Sequence, residues 1–356
     1  MEEKRGFEYR SLFWPILLIG VGVLWLLGNM GYLPMPSLRM LLRLWPLILI
    51  VIGLDIIFGR RSPVIGGLIG LGAVALVIAL LLLAPSLGLE ALQTGGELKT
   101  LTFSEPLESA TSARIDLDLE RYPTTIEALS ASNMLIDAEL DTFTDVNFSA
   151  RGNRDKTVSI EPSMGFDLNW LDTIGSDARW EIGLNPDVPI DLTVDVGSGS
   201  ATLDLLFLEL TDLEIDGGSG STDLTLPESS SQYTANIDGG SGSFDIEFES
   251  GAEVRVEMDV GSGSIDIVIG SSADLDMRID GGSGSITIDV PGDVGVRVVI
   301  RDRGSGSVSI PGSYLLLDDM GDNERDTGIW ETDGFSSAAH RIEITFDPGS
   351  GSFKLR

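Results

Sequence analysis

Cysteine is absent from this chain of 356 residues. That excludes disulfides, thiolate nucleophiles and cysteine-ligated zinc, while leaving the redox compartment open. Histidine is nearly absent as well: His340 stands alone beside Arg341, at the start of a strand-like run. A lone histidine in that setting reads as a surface residue. No serine occupies a Gly-x-Ser-x-Gly elbow, and no spacing pairs two carboxylates for acid–base work. Basic residues are scarce, with 23 Lys and Arg against 55 Asp and Glu, a net charge of −32. The shortage is uneven. Residues 1–85 hold 7 basic against 4 acidic residues, net +3, and residues 86–356 hold 16 against 51, net −35. An acidic segment of this kind repels nucleic acid and anionic lipid, and could attract divalent cations or cationic partners. Its glycine-rich turns have no lysine after them, so they do not read as phosphate cradles. The expectation is a protein that is not an enzyme.

Charge is missing altogether from long stretches of the first 85 residues. Ser11–Leu38 is uncharged, Leu44–Phe58 carries only Asp55, and Ser62–Leu89 is uncharged again. Three membrane helices are expected, at about 12–30, 41–59 and 63–85, with Arg43 snorkelling from the short second one. A cleaved signal peptide fits residues 1–30 poorly, because the apolar run is long, contains Trp14 and Trp25 and lacks an Ala-x-Ala site. Lys4, Arg5, Arg10, Arg60 and Arg61 outnumber Arg39 and Arg43, which predicts a multi-pass protein of the cell membrane with a cytoplasmic N-terminus and an extracytoplasmic C-terminal domain. Asp55 reads as an interfacial partner of Arg60, and Gly66 and Gly70 as a point where helices of one bundle approach.

Beyond a short linker at 86–100, apolar and polar residues alternate at period two, cleanly in Ala113–Glu120 and again at 134–140, 146–150, 157–161 and 180–184. Residues 122–130 could form a helix. From Gly197 onward the tetrapeptide Gly-Ser-Gly-Ser recurs, beginning at Gly197, Gly218, Gly240, Gly261, Gly282, Gly304 and Gly349. Five intervals are 21 or 22 residues and the last is 45. Repeats of strand, glycine corner, strand and return turn predict a β-solenoid whose faces are buried by neighbouring coils. Phe244/Ile246/Phe248, Ile265/Ile267/Ile269 and Ile286/Ile288/Val290 are its expected inward columns. The closing residues Phe353–Arg356 read as a half coil whose Lys and Arg blunt an open edge.

Two stretches carry a family resemblance. Phe13-Trp14-Pro15-Ile16-Leu17 and Leu44-Trp45-Pro46-Leu47-Ile48 are near copies, with Gly22 and Gly28 falling on Gly53 and Gly59. This segment resembles the LiaI/LiaF-like transmembrane region of bacterial envelope proteins. The strand at Ala113, the segment Trp180-Glu181-Ile182-Gly183-Leu184-Asn185 and the strand Val188-Pro189-Ile190-Asp191-Leu192 resemble the toast-rack domain of LiaF-like and adhesin families. The turns depart from that family, reading Gly-Ser-Gly-Ser where Gly-Ala-Gly-Glu is common. The resemblance implies a role in sensing or regulating cell-envelope stress, through helix contacts with a membrane partner such as a sensor kinase. The alternative is an adhesin-like surface scaffold that binds polymer, cations or a surface protein.

Every copy of the repeat has an aspartate two residues before its first glycine: Asp195, Asp216, Asp238, Asp259, Asp280, Asp302 and Asp347. In a stack these carboxylates stand ~4.8 Å apart and repel by roughly 3.5 kcal/mol at an effective dielectric near 20, or about 0.9 in water. Either the aspartates accept N–H groups from the turns, with the glycines supplying positive φ and the serine hydroxyls bonding along the stack, or they form a weak cation ladder, for which Ca²⁺ is the suitable ion. The calcium nonapeptide is excluded, since Phe244 stands where its acid belongs. No other cofactor is expected. The expected layout is a transmembrane region at 1–85, an N-terminal β section at 101–190 and the repeat solenoid at 191–356, with an insertion at about 311–340. Tyr314, Trp330 and Phe335 in or near that insertion are the expected partner surface. The expected partners are the lipid bilayer, an envelope or kinase protein and a second copy of the chain, and not nucleic acid.

Overall fold

The computed structural model describes residues 12–29, 45–59, 62–83, 98–119, 121–130, 132–163, 178–229, 231–301, 304–318 and 327–356. Asp302, the Arg60–Arg61 pair and most of the expected linker lie outside them. The helices and the sheets fall into two compact units.

In the first unit, α1 (Phe13–Asn29), α2 (Trp45–Phe58) and α3 (Pro63–Leu83) coincide with the three apolar runs. Each has a proline in its first turn, where the missing N–H costs nothing. The helices are apolar around most of their circumference, with Leu18, Ile19, Ile50 and Leu68 exposed, the composition of a buried or lipid-facing helix. Small residues let α1 and α3 approach closely. A Cβ on Gly70 would stand 3.1 Å from the Phe13 carbonyl oxygen, and one on Gly20 would overlap Val74. Among the residues whose side chains are described, no helix is long and apolar enough to cross a membrane.

The second unit holds two sheets, of 11 and 12 strands among the described residues. The first sheet runs, in hydrogen-bonded order, through 99–106, 134–142, 180–184, 124–128, 201–204, 221–226, 243–248, 264–269, 285–289, 352–355 and 307–309. The second runs through 315–318, 328–331, 295–300, 341–347, 274–280, 253–259, 233–238, 210–216, 190–195, 112–118, 155–162 and 146–151. From Ile190 to Ser309 the chain alternates between them, one strand in the second sheet and one in the first, with parallel pairing between successive strands of each up to Asp289. Period-two alternation then sends every second side chain into the space between the sheets. Phe244, Ile246 and Phe248 from one sheet and Val254, Val256 and Met258 from the other are buried in one continuous core.

The N-terminal end is closed by antiparallel strands. Phe103 on one sheet edge stacks on Phe148 on the other at 5.1 Å. Lys156, fully buried, donates to Glu105 at 2.6 Å and to the Pro106 carbonyl at 2.5 Å. Residues Thr124–Ala128 form a strand, and not the helix that 122–130 could also have formed. They pair in parallel with Trp180–Leu184, and Tyr122 stacks on Trp180 at 5.2 Å. Thr124, Thr125 and Ile126 are β-branched, and burial against Trp180 decides for strand.

At the other end the spatial order departs from the chain order. Arg341–Asp347 lies between Asp274–Asp280 and Gly295–Ile300, and Ser352–Leu355 lies between Ser285–Asp289 and Ser307–Ser309. The closing residues are therefore inside the sheet and blunt no edge. Phe353 and Leu355 are core, with Phe353 stacked on Phe346 at 4.6 Å.

Candidate functional site

The Gly-Ser-Gly-Ser corners form a continuous stack on one side of the module. Ser219, Ser241, Ser262, Ser283, Ser350 and Ser305 each donate their backbone N–H to the first glycine carbonyl of the neighbouring corner, at 2.7–3.1 Å. The corners therefore stack in the order 197, 218, 240, 261, 282, 349, 304. Both glycines of the motif are required by this approach. A Cβ on Gly218 would overlap the Gly197 carbonyl oxygen, and one on Gly263 would overlap that of Gly242. Positive φ is the lesser reason, since among the first glycines of the described corners only Gly197, Gly240 and Gly261 adopt it, at 61°, 55° and 61°. Of the serine hydroxyls, Ser350 Oγ donates to Ser283 Oγ at 3.2 Å.

The aspartate column is a straight row of register partners: Asp118, Asp195, Asp216, Asp238, Asp259, Asp280 and Asp347. Asp118 takes a place in this row that the motif does not reveal, because no Gly-Ser-Gly-Ser comes after it. Its only sequence signal is its position closing an alternating strand. Asp195, Asp238 and Asp259 accept the N–H of Gly197, Gly240 and Gly261 at 3.0, 2.9 and 3.0 Å. These are the three corners with positive φ, so side chain and backbone conformation are coupled. Partial burial, with Asp195 and Asp238 on either side, raises the pKa of Asp216. Among the described residues no group of three or more His, Cys, Asp or Glu side chains is placed to hold a metal ion. The row sets carboxylates along a line instead of around a point.

The outer faces of the two sheets differ in charge. On the second sheet arginines pair with carboxylates of adjacent strands: Arg114 with Asp191 at 2.7 Å, Arg255 with Asp276 at 3.3 Å, Arg278 with Glu257 at 3.5 Å and Arg297 with Glu331 at 2.6 Å. On the first sheet Asp223, Asp245 and Asp266 are register neighbours, continued by Thr287 and Lys354. His340 hydrogen-bonds Asp274 at 2.9 Å on the surface.

The expected partner surface is placed differently from the sequence reading. Trp330 and Phe335 are buried at 8% and 3% exposure, the second between Arg297 and Arg341 at 4.3 and 5.7 Å. Tyr314 is half-buried, and that burial raises its pKa. The exposed apolar residues here are Leu315, Leu316 and Leu317, on the edge strand of the second sheet.

Residues 12–57, which include α1 and most of α2, match the family model for a LiaI-LiaF-like transmembrane region. Residues 94–247 match the model for the N-terminal domain of toast_rack, DUF2154. Both parts of the resemblance carried by the residues are thus matched, a transmembrane-region model over part of the helical segment and a toast-rack model over the first part of the β module. Among solved structures, a candidate cell adhesion protein from Clostridium sporogenes ATCC 15579 shares 15% identity and a TM-score of 0.34, over 73% of this chain and 99% of that one. A candidate adhesin from Bacteroides fragilis NCTC 9343 shares 11% identity and a TM-score of 0.34, over 74% of this chain and 100% of that one. No curated protein matches.

Proposed function

We propose that this chain is a non-enzymatic, multi-pass envelope protein whose three helices cross the cell membrane and hold an acidic β-solenoid outside. The reading rests chiefly on one observation, a match to a transmembrane-region model over residues 12–57 together with a match to the toast-rack model over residues 94–247. Helix α3 supports it, since 21 uncharged residues extend about 31 Å, the thickness of a hydrocarbon core. In this reading the module takes part in sensing or regulating envelope stress, and the helices contact a membrane partner such as a sensor kinase.

The missing cysteines make topology directly testable, because any introduced thiol is unique. With an impermeant maleimide on intact cells, Ser219→Cys is expected to label and Ser62→Cys to label only after lysis. The reverse pattern overturns the orientation. Deleting the chain is expected to change the output of an envelope-stress reporter under wall-active antibiotics, and an unchanged output removes the regulatory part. A second reading, a surface scaffold that binds an envelope polymer, is favoured by an exposed apolar corner of the module.

A further inference from the structure

At the end of the module remote from Phe103 and Phe148, the two sheets stop at different places among the described residues. The first ends on Ser307–Ser309, a strand of the outermost coil. The second continues past that coil's other strand, Gly295–Ile300, through Gly328–Glu331 to Leu315–Asp318. One sheet therefore overhangs the other by two strand separations, about 10 Å. Both terminal strands have a partner on one side only.

This step is apolar and uncharged. Residues 304–317 form the longest run without charge beyond residue 100. Elsewhere in the module large apolar side chains are exposed singly, as at Phe207 and Val268, which is ordinary for a surface. Leu315, Leu316 and Leu317 are exposed together, at 54%, 47% and 58%. Leu316 is the register partner of Trp330, and Trp330 that of the core residue Val298, so Leu316 belongs to the inner face of the overhang. The core is open beside it. Val308 is only partly buried, whereas Phe353 and Ile286, in the same register on the next two strands inward, are closed to solvent.

A second copy is the occupant that this shape fits. A two-fold axis running between the sheets and along the strands brings the long sheet of one copy into line with the short sheet of the other. Each overhang then fills its partner's step, and Leu315–Asp318 of one copy meets Ser307–Ser309 of the other. Directions agree as well. Leu315–Asp318 runs the same way as Gly295–Ile300, being antiparallel to the strand between them. Ser307–Ser309 leaves the corner that Gly295–Ile300 enters, so the meeting edges run antiparallel, as short strands pair most readily. Charge favours the same arrangement. Two segments of net charge −35 repel except where neither carries charge, and the step is such a place. We propose that two copies of the chain join end to end through this step, with Val308, Tyr314, Leu315 and Leu316 of each copy closing the open core of the other. The contact is isologous and stops at two copies. An overlap of two short strands is at the low end of specific interfaces, so the association is weak and concentration-dependent.

Because the chain lacks cysteine, introduced thiols report the joint directly. Full-length Ser309→Cys and Leu317→Cys chains with different tags are co-expressed, and their membranes are treated with a short bismaleimide. A cross-linked pair carrying both tags is expected, at several times the yield from either variant alone. Adding Leu316→Glu to both chains is expected to abolish it, and Leu315→Glu to do the same. Both positions are about half exposed, so the melting temperature is expected to stay within a few degrees of the parent. The proposal is overturned if the mixture gives no cross-link, as it would if the end face dipped into lipid. It is also overturned if Leu317→Cys alone cross-links as well as the mixture, which sets overhang against overhang, or if cross-linking survives both glutamate variants. Labelling of intact cells reads orientation and this cross-link reads pairing, so the envelope reading and this inference fail separately.

Discussion

The stacked corners make a sharp prediction for Gly263→Ala. The added Cβ would overlap the Gly242 carbonyl oxygen and stand 2.8 Å from its carbon, both backbone atoms of the neighbouring coil. Side-chain rotation cannot relieve that contact, so the coils must separate locally. The same Gly242 oxygen accepts the N–H of Ser264 at 3.3 Å, and the adjacent corner bond from Ser262 to Gly240 spans 2.8 Å. Losing two such bonds costs about 2 kcal/mol, and the residual backbone strain about 1 more. A total of about 3 kcal/mol corresponds to a fall of roughly 6–12 °C in melting temperature for a domain of this size. Gly292→Ala is the control, because a Cβ there meets nothing within 4 Å. It is expected to change stability by less than about 0.5 kcal/mol, or to raise it slightly by stiffening the unfolded chain. The assay is thermal unfolding of the full-length chain monitored by far-ultraviolet circular dichroism. If the two variants melt within ~1 °C of each other, close approach is not why the motif contains glycine.

Asp216→Asn should stabilise the module. Two neighbours at ~4.8 Å each repel by about 0.9 kcal/mol in water, nearly halved by physiological salt, for a gain of about 1 kcal/mol in urea unfolding at neutral pH. The raised pKa values of Asp212 and Asp216 mean that the fold binds their protons more tightly than the unfolded chain does. Their contribution to stability therefore grows as pH falls through the folded values towards the ordinary carboxylate value, and is lost as pH rises. Asp216→Asn should flatten that part of the stability profile. Because the aspartate row is linear, calcium and magnesium at equal ionic strength should raise the melting temperature equally. A stoichiometric calcium-specific shift would instead establish an ion-binding ladder. Lys156→Ala should cost about 3 kcal/mol in the same unfolding assay by leaving Glu105 without its cation, and Lys156→Met nearly as much, whereas Lys156→Met combined with Glu105→Leu should be close to neutral.

How far the chain is legible from its sequence depends on the range of the interactions involved. Phe244, Ile246 and Phe248 are legible as core because period two alone fixes which face a strand buries. Likewise, the Trp-Pro pairs and uncharged runs locate α1, α2 and α3, since local apolarity is the whole signal. The strand at Lys99–Pro106 falls across the expected linker boundary. Its Leu101 and Phe103 alternate over too few residues to stand out before their partners in Met134–Thr142 are known. Trp330 and Phe335 lie in an acidic, irregular segment. Trp330 is buried where its strand pairs with Val298, and the Phe335 ring is covered by Arg297, both distant in sequence, and by the nearby Arg341. Phe207 is hidden in the sequence because Leu205–Leu208 reads as one more apolar strand, and only the strand ends show that it caps a turn. The Asp118 position requires the register itself.

The same limit explains the inserted last coil, which regular spacing contradicts. The interval of 22 residues from Gly282 to Gly304 predicts that the coil at 295–309 stacks directly on the coil at 274–289, as earlier neighbours do. The segment beyond residue 309 decides otherwise. The hairpin of Leu315–Asp318 and Gly328–Glu331 pairs antiparallel with Gly295–Ile300 and terminates the second sheet. A terminating hairpin joined to residues 295–309 keeps that coil outermost, so the remaining coil at 341–355 is accommodated inside it. Phe346 and Phe353 then fill the interior, while Val308 and Ile310 of the outer coil are only partly buried. Among the described strands of the coil at 295–309, parallel pairing is with 341–347 and 352–355. Removing residues 341–356 should therefore release two coils and not one. Hydrogen exchange on the truncated chain is expected to show loss of protection over both 274–289 and 295–309, on the sides that faced the missing strands. If 295–309 keeps its protection by docking straight onto 274–289, then the spacing of the repeat, not the hairpin, sets the order of the coils.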